Sequence, residues 1–192
     1  MNGDIERVII DRHSIAQRVK ELASTIAGDL GSQDQPLPKG LTLVPILSGS
    51  FIFVADLIRH LPLLMRIRML SIVSYLGPRT TSRGARMQSE LTHLPHTLQN
   101  THVLLIDDIL DTSNTLRLAV DAIQHRQPAA LRTCVLLRKQ RPSALQFPVD
   151  YVAFDVPDKF VVGYGLDFNG YYRNLPDIVT LKAEVLEQAE GA

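Results

Sequence analysis

The stretch Val103-Leu104-Leu105-Ile106-Asp107-Asp108-Ile109-Leu110-Asp111-Thr112-Ser113-Asn114-Thr115 ends an apolar run in two adjacent carboxylates. It sets a third acid four residues after the first, then opens into small hydroxyl and amide side chains. Those residue types in that order suit phosphate and sugar. Backbone N–H groups at a helix start, with Thr and Ser hydroxyls, make a phosphate cradle. Paired carboxylates beside it can accept from sugar hydroxyls, or hold a hydrated Mg2+ that also touches phosphate. A solvated strand end with an N-capping Asp accounts for one acid or two, but not for three acids followed by four polar residues. The loop has no lysine and departs from the G-x-x-x-x-G-K-[ST] pattern of nucleotide triphosphatases. Response-regulator receivers also gather acids at strand ends. The acidic pair they need near the chain's start, and a phosphorylatable Asp after a middle strand, are not evident here.

Such a cluster works only where a fold fixes it. Val103–Ile106, Leu41–Leu47 and Leu131–Leu137 are nearly continuous apolar runs, as expected of strands covered on both faces, and Tyr151–Phe154 reads as a further strand. Between them lie helical patterns. In the segment from His13 to Leu30, the residues Ile15, Val19, Leu22, Ala23, Ile26 and Leu30 fall on one face, with Ser14 and Gln17 as a capping box and Gly31 as a stop. Ser50–Leu61 and about Thr112 to His125 read as two more helices, and Leu63–Tyr75 as a β-branched strand region. Residues 76–100 carry Gly77, Pro78, Gly84 and Pro95 and little periodicity, as expected of a long loop that is functional or mobile. Its arginines Arg79, Arg83 and Arg86 serve equally well to attract an anion or to keep the loop soluble. Strands alternating with helices predict an α/β domain on a mostly parallel sheet. Ligands in such sheets bind at the carboxyl ends of the strands, where the acidic cluster stands.

The 192 residues suffice for one domain covering 1–192, with no repeats or interdomain linker. Twenty basic and twenty acidic side chains cancel, which disfavours nucleic acid as a partner. The one cysteine, Cys134, sits in the apolar run Leu131–Leu137 and reads as a small buried hydrophobe. His93, His96, His102 and His125 lack metal-ligand spacing, so no zinc site is expected. The first residues lack the pattern of a signal peptide, and no apolar run approaches the roughly 20 residues of a membrane span. The expected location is therefore the cytoplasm, with no membrane partner.

The acidic stretch resembles the phosphoribosyl-pyrophosphate signature of the type I phosphoribosyltransferases: apolar strand, two acids, two apolar residues, then Asp-Thr and a small polar loop. Most of the chain is similar to the hypoxanthine-guanine branch of that family. Leu47-Ser48-Gly49-Ser50-Phe51-Ile52-Phe53 looks like its pyrophosphate loop, and Ser74-Tyr75 like the dipeptide that begins its flexible loop. Val156-Pro157-Asp158-Lys159-Phe160-Val161-Val162-Gly163-Tyr164-Gly165-Leu166-Asp167 matches its purine-binding segment, which Tyr172-Arg173-Asn174-Leu175 continues.

The resemblance implies an open α/β core with a small hood subdomain over the base, drawn mainly from about 150–192. It implies transfer of the 5-phosphoribosyl group from phosphoribosyl pyrophosphate to N9 of hypoxanthine or guanine, with xanthine left open. Mg2+ would be the cofactor and a homodimer or homotetramer the assembly. Asp107 and Asp108 would bind the ribose hydroxyls and a magnesium. Asp111, Thr112, Ser113, Asn114 and Thr115 would hold the 5′-phosphate, with Asp111 also placed near N7 as the catalytic base. Ser48, Gly49 and Arg173 would meet pyrophosphate, and Asp167 a second magnesium. Lys139, in the run Arg138-Lys139-Gln140-Arg141, reads by composition as a basic turn. The resemblance makes it instead the donor to the 6-oxo group, with Phe160 stacking on the purine and the Val161 backbone reading its edge.

Two departures stand out. Ser113-Asn114 replaces a common Gly-Lys, and Ser48 stands where some members carry Lys or Arg. The peptide bond entering Ser48 can be cis in the family. The competing readings are a phosphoribosyltransferase for another base, against which Lys139 and Phe160-Val161 argue for adenine and pyrimidines, and a nucleic-acid-binding sensor of phosphoribosyl pyrophosphate. The sensor needs a basic face or an added DNA-binding segment, and zero net charge with no N-terminal helix-turn-helix extension disfavours it.

Overall fold

Asp11, rather than Ser14, starts the first helix. Its carboxylate accepts from the backbone N–H groups of His13 and Ser14 and from the Ser14 hydroxyl, at 2.7–3.0 Å, so Asp11, as good an N-cap type as Ser, caps the helix three residues earlier and engages Ser14 itself. Gln17 turns instead to Glu21, one helical turn on. The apolar face is the one expected: Ile15, Val19, Leu22, Ala23, Ile26 and Leu30 are buried, and Gly31 ends the helix at φ +102°.

The computed structural model describes residues 2–31, 40–73, 86–87 and 94–188. In chain order the elements are β1 (Ile5–Ile10), α1 (Arg12–Leu30), β2 (Leu41–Leu47), α2 (Phe51–Ile58), β3 (Met65–Ile67), β4 (Leu70–Val73), β5 (Arg86–Met87), β6 (His102–Leu110), α3 (Asn114–Gln124), β7 (Ala130–Lys139), α4 (Pro142–Leu145), β8 (Tyr151–Val156), β9 (Ile178–Leu181) and α5 (Ala183–Gln188). The main sheet runs β5-β4-β2-β6-β7-β8, with β3 also on β2. Its pairs are parallel except β4 with β5. The expected α/β class with an open, mostly parallel sheet flanked by helices is the class observed.

The strand region expected over Leu63–Tyr75 divides into β3 and β4. Both keep one register along β2, Leu43 facing Ile67 and Ile46 facing Leu70. The ladder is interrupted opposite Pro45, which has no N–H to give it.

Alternate residues of the central strands feed opposite layers. Leu41 and Leu43, Leu104 and Ile106, and Cys134 and Leu136 pack with α1 and α2. Val44 and Ile46, Val103 and Leu105, and Val135 pack with Leu116, Ala119 and Ile123 of α3. Full burial of each such side chain contributes roughly 1.5–3 kcal/mol, so the strand ends between these layers are well anchored. Cys134 is buried and free, as its place in the strand implied. A separate two-stranded antiparallel sheet joins β1 to β9, and Val162 bridges to Val179 of β9. Among the described residues no helix is long and apolar enough to cross a membrane.

Candidate active site

β2 and β6 are parallel neighbours, so the turn after β2 and the acidic end of β6 meet at one edge of the sheet. They line a cavity of about 690 Å3 with Ser48, Gly49, Asp107, Asp108, Asp111, Thr112, Ser113, Thr115, Asp167 and Arg173, and with Ser71 and Ile72 of β4. Ten residues singled out in the sequence thus share one cavity. Asn114 opens α3 just beside it, whereas Lys139, Phe160 and Val161 stand outside its lining. Ser74 and Tyr75 lie outside the described residues. The Leu47–Ser48 peptide is cis.

Gly49 is needed here for space. A Cβ on it would lie 1.7 Å from Oδ2 of Asp108, and a Cβ on Gly165, at φ +105°, would lie 2.1 Å from the Gly49 carbonyl oxygen. The Gly165 carbonyl in turn accepts from Arg173 at 2.7 Å. Arg173 also pairs with Asp167 at 2.8 Å, and the other Asp167 oxygen accepts from the Gly170 N–H. Two glycines therefore let the loop after β2 and the segment around Arg173 close onto the acidic strand end.

β6 extends to Leu110, so Asp107 and Asp108 lie within the strand rather than past it. Asp107 is only 4% exposed. Burial pushes its carboxyl well above the ordinary value, and the neighbouring Asp108 charge adds to this. Burial also raises the Asp108 carboxyl, partly offset by hydrogen bonds from the strand backbone and by the Arg173 charge.

Ser113 precedes α3 with φ +63°, and its side chain makes no cap bond. That left-handed conformation explains the glycine common at this place in the resembled family, since a Cβ there costs roughly 1–2 kcal/mol. Ser113→Gly is expected to relieve the strain, leaving the melting temperature unchanged or raised by about 2–4 °C, with phosphoribosyl-pyrophosphate affinity kept. A drop of several degrees in a thermal melt would show that the serine side chain stabilises the loop.

At the end of β7, Lys139 is buried at 8% exposure. Its ammonium lies 2.9 Å from Oδ2 of Asp111 and 3.4 Å from Asp158, so the basic-turn reading does not hold for it. Arg141 places NH1 2.5 Å from Oδ1 of Asp111 and Nε 3.8 Å from Asp158. Burial alone would raise the Asp111 carboxyl, but the hydrogen bonds and charges of Lys139 and Arg141 outweigh it and hold it below the ordinary range. Arg141 and Asp158 are the partners that sequence reasoning passed over. The available signal was an arginine two residues after Lys139 and an acid opening the Asp158-Lys159-Phe160 run. Phe160 is 42% exposed, with its ring set edge-on to Phe168 at 5.5 Å between centroids, and Val161 is buried. Among the described residues no three acidic, His or Cys side chains converge into a metal cage.

The chain matches the phosphoribosyl transferase domain over residues 9–169. It is 41% identical to the hypoxanthine-guanine phosphoribosyltransferase of Dictyostelium discoideum, over 92% of this chain and 96% of that protein. It is 36% identical to the enzyme of the same name from Mycobacterium avium, over 97% of this chain and 90% of that protein. Among solved structures, hypoxanthine phosphoribosyltransferase from Trypanosoma cruzi, a lysine-to-arginine variant with its product IMP, superposes with a TM-score of 0.85 at 38% identity, covering 98% of this chain and 96% of that one. An acidic strand end and a polar helix start meeting at one edge of an α/β sheet, together with these likenesses, lead to one assignment: the chain belongs to the hypoxanthine-guanine phosphoribosyltransferase family.

Proposed function

We propose that the chain moves the 5-phosphoribosyl group of phosphoribosyl pyrophosphate onto N9 of hypoxanthine or guanine, giving IMP or GMP and pyrophosphate. The observation that carries this reading is the position of Asp111. It lines the cavity of the acidic strand end and holds the Lys139 ammonium at 2.9 Å, so one residue joins a sugar-phosphate site to a purine reader.

In this reading Asp107 and Asp108 accept hydrogen bonds from the ribose hydroxyls. Left-handed Ser113 followed by helical Asn114 supports an anion nest, in which successive backbone N–H groups converge on the 5′-phosphate, with the Thr112 and Thr115 hydroxyls alongside. The Ser48-Gly49 backbone and the forked guanidinium of Arg173 meet the leaving pyrophosphate. Asp111 takes the N7 proton as N9 attacks the anomeric carbon. Lys139 donates to O6, Phe160 covers the ring, and the Val161 backbone reads its edge. Ser74 and Tyr75 begin the segment assigned to closure, which keeps water from an oxocarbenium-like state.

The donor set also fits magnesium, a hard cation that takes oxygen ligands and is held by one or two carboxylates plus substrate phosphates rather than by a protein cage. Asp107 and Asp108 would hold one ion and Asp167 a second. The chemistry supplied there is neutralisation of pyrophosphate charge as it departs. We further assign the chain one phosphoribosyltransferase domain with its hood mainly from about 150–192, a homodimeric or homotetrameric assembly, and a cytoplasmic location.

The deciding experiment is a spectrophotometric assay with hypoxanthine, guanine, xanthine and adenine in the presence of phosphoribosyl pyrophosphate and magnesium. Turnover of the 6-oxopurines with adenine barely used is the expected result, and efficient adenine turnover contradicts it. A second measurement tests the acidic pair. The Asp107 carboxyl is raised above its ordinary value of 3.8 when folded, so its contribution to stability is full below that value and is lost as pH rises through the folded value. Replacing Asp107 and Asp108 together with Asn removes a buried and a half-buried carboxyl whose ionisation burial opposes. The variant is expected to melt higher at neutral pH, by about 2–4 °C for each kcal/mol recovered, while its KM for phosphoribosyl pyrophosphate rises and its magnesium response flattens. Unchanged kinetics across a magnesium titration would take these residues out of the site.

A further inference from the structure

We propose that Arg141 is a positioning residue for base transfer, holding the Asp111 carboxylate in place while Lys139 turns to the purine. The inference rests on the roles given to Asp111 and Lys139 in the reading above. The two oxygens of Asp111 are divided between two cations, Oδ2 to Lys139 at 2.9 Å and Oδ1 to Arg141 at 2.5 Å. The same cations flank Asp158, at 3.4 Å from Lys139 and 3.8 Å from Arg141. Two acids and two bases thus form a neutral quartet beside the cavity.

The division has consequences for both proposed substrate-facing groups. A lysine ammonium has three donors; Lys139 directs its charge at Asp111 and Asp158 here, so turning toward O6 loosens its hold on these acids. Without Arg141, two carboxylates would compete for a single buried ammonium, and the cluster would carry a net negative charge. As Lys139 swings toward O6, its hold on Oδ2 relaxes, and Arg141 is then the cation that keeps the carboxylate aimed. An ionised carboxylate has about four lone-pair sites, so two cations still leave Asp111 room for the N7 proton. Arg141 is itself well seated: its backbone N–H donates to the Lys139 carbonyl at 2.8 Å, Pro142 opens α4 directly after it, and the Ser143 hydroxyl donates to the Asp111 carbonyl at 3.3 Å. Its side chain is partly exposed, and ion pairs of that kind contribute little to stability. Its effect therefore falls on chemistry rather than on folding.

Two variants test this. Arg141→Met keeps the stem and removes the charge, and Arg141→Lys keeps the charge without the fork. With the Met variant, kcat for hypoxanthine is expected to fall by about ten- to a hundredfold, the scale of a misaligned reacting group. Its KM for hypoxanthine rises, while KM for phosphoribosyl pyrophosphate stays within about twofold and the melting temperature holds. The Lys variant recovers part of the lost kcat. A Met variant with unchanged kcat and hypoxanthine KM overturns the proposal, as does one in which both KM values and the melting temperature move together. Absence of hypoxanthine and guanine turnover in the unmodified protein would overturn the functional reading itself, and this inference with it.

Discussion

Lys139→Ala is expected to reduce kcat/KM for hypoxanthine and guanine steeply while leaving the slow use of adenine nearly unchanged, so that the gap between the bases narrows from above. The cause is hydrogen-bond polarity. A charged lysine carries donors only, and both oxopurines present the acceptor O6 where this ammonium is assigned. Adenine presents an amino group there, so donor faces donor and the base gains nothing from the ammonium, which stays on Asp111 and Asp158. Sites built around a required polar contact discriminate by roughly 10⁴–10⁵ for this reason. Truncation also strips one cation from Asp111 and Asp158, a loss common to all bases, and Arg141 remains on both acids. The test is kcat/KM for the three bases in both proteins. An Ala variant with intact hypoxanthine kinetics would remove Lys139 from base recognition.

Asp111→Asn is expected to lower kcat by roughly 10²–10⁴-fold, the range for general acid–base assistance, with a smaller effect on substrate affinity. Asn matches the carboxylate in shape, so the loop keeps its course, but it cannot take a proton near neutral pH. Lys139 and Arg141 hold the native carboxyl below its ordinary range. It is therefore ionised throughout the neutral region, available as an acceptor but weak as a base until Lys139 turns toward the purine. Single-turnover kinetics with hypoxanthine separate the chemical step from product release. A near-normal rate would reduce Asp111 to a residue that shapes the loop.

How far these residues could be read without coordinates depended on how local their signals are. β2 is legible because Leu41–Leu47 is apolar apart from Thr42, and α1 because six buried side chains recur at helical spacing. The acidic pair, the hydroxyl run and Gly49 declare themselves by residue type. Arg141 does not, because its partner Asp111 is 30 positions away and a basic run after a strand looks like an ordinary solvated turn. The break between β3 and β4 is hidden for a related reason: it is caused by Pro45 on the neighbouring strand, not by a residue of its own. β9 has only four residues, too few to show a period, and its antiparallel partner lies at the far end of the described chain.

That last pairing bears on the order in which the molecule assembles and loosens. Val8 faces Val179, so forming the small sheet closes a loop of nearly the whole described chain. Loop closure must be met in entropy before the contacts it permits can reward it. The pairs β2–β6, β6–β7 and β7–β8 close far shorter loops, so the main sheet can form while β1 still waits for its partner. In the native state the order of opening follows: β9 is buried, but its partner β1 is largely exposed, so this two-stranded sheet opens more readily than the buried centre of a layered one. Val162 exchanges both of its backbone hydrogen bonds with Val179, at 2.9 Å each, so the segment carrying Phe160 and Val161 loosens when β9 does. Amide hydrogen exchange would accordingly run fast and together in β1, β9 and Val162, and slowly in β6 and β7, giving the base-binding side a local mobility that the ribose and phosphate side does not share.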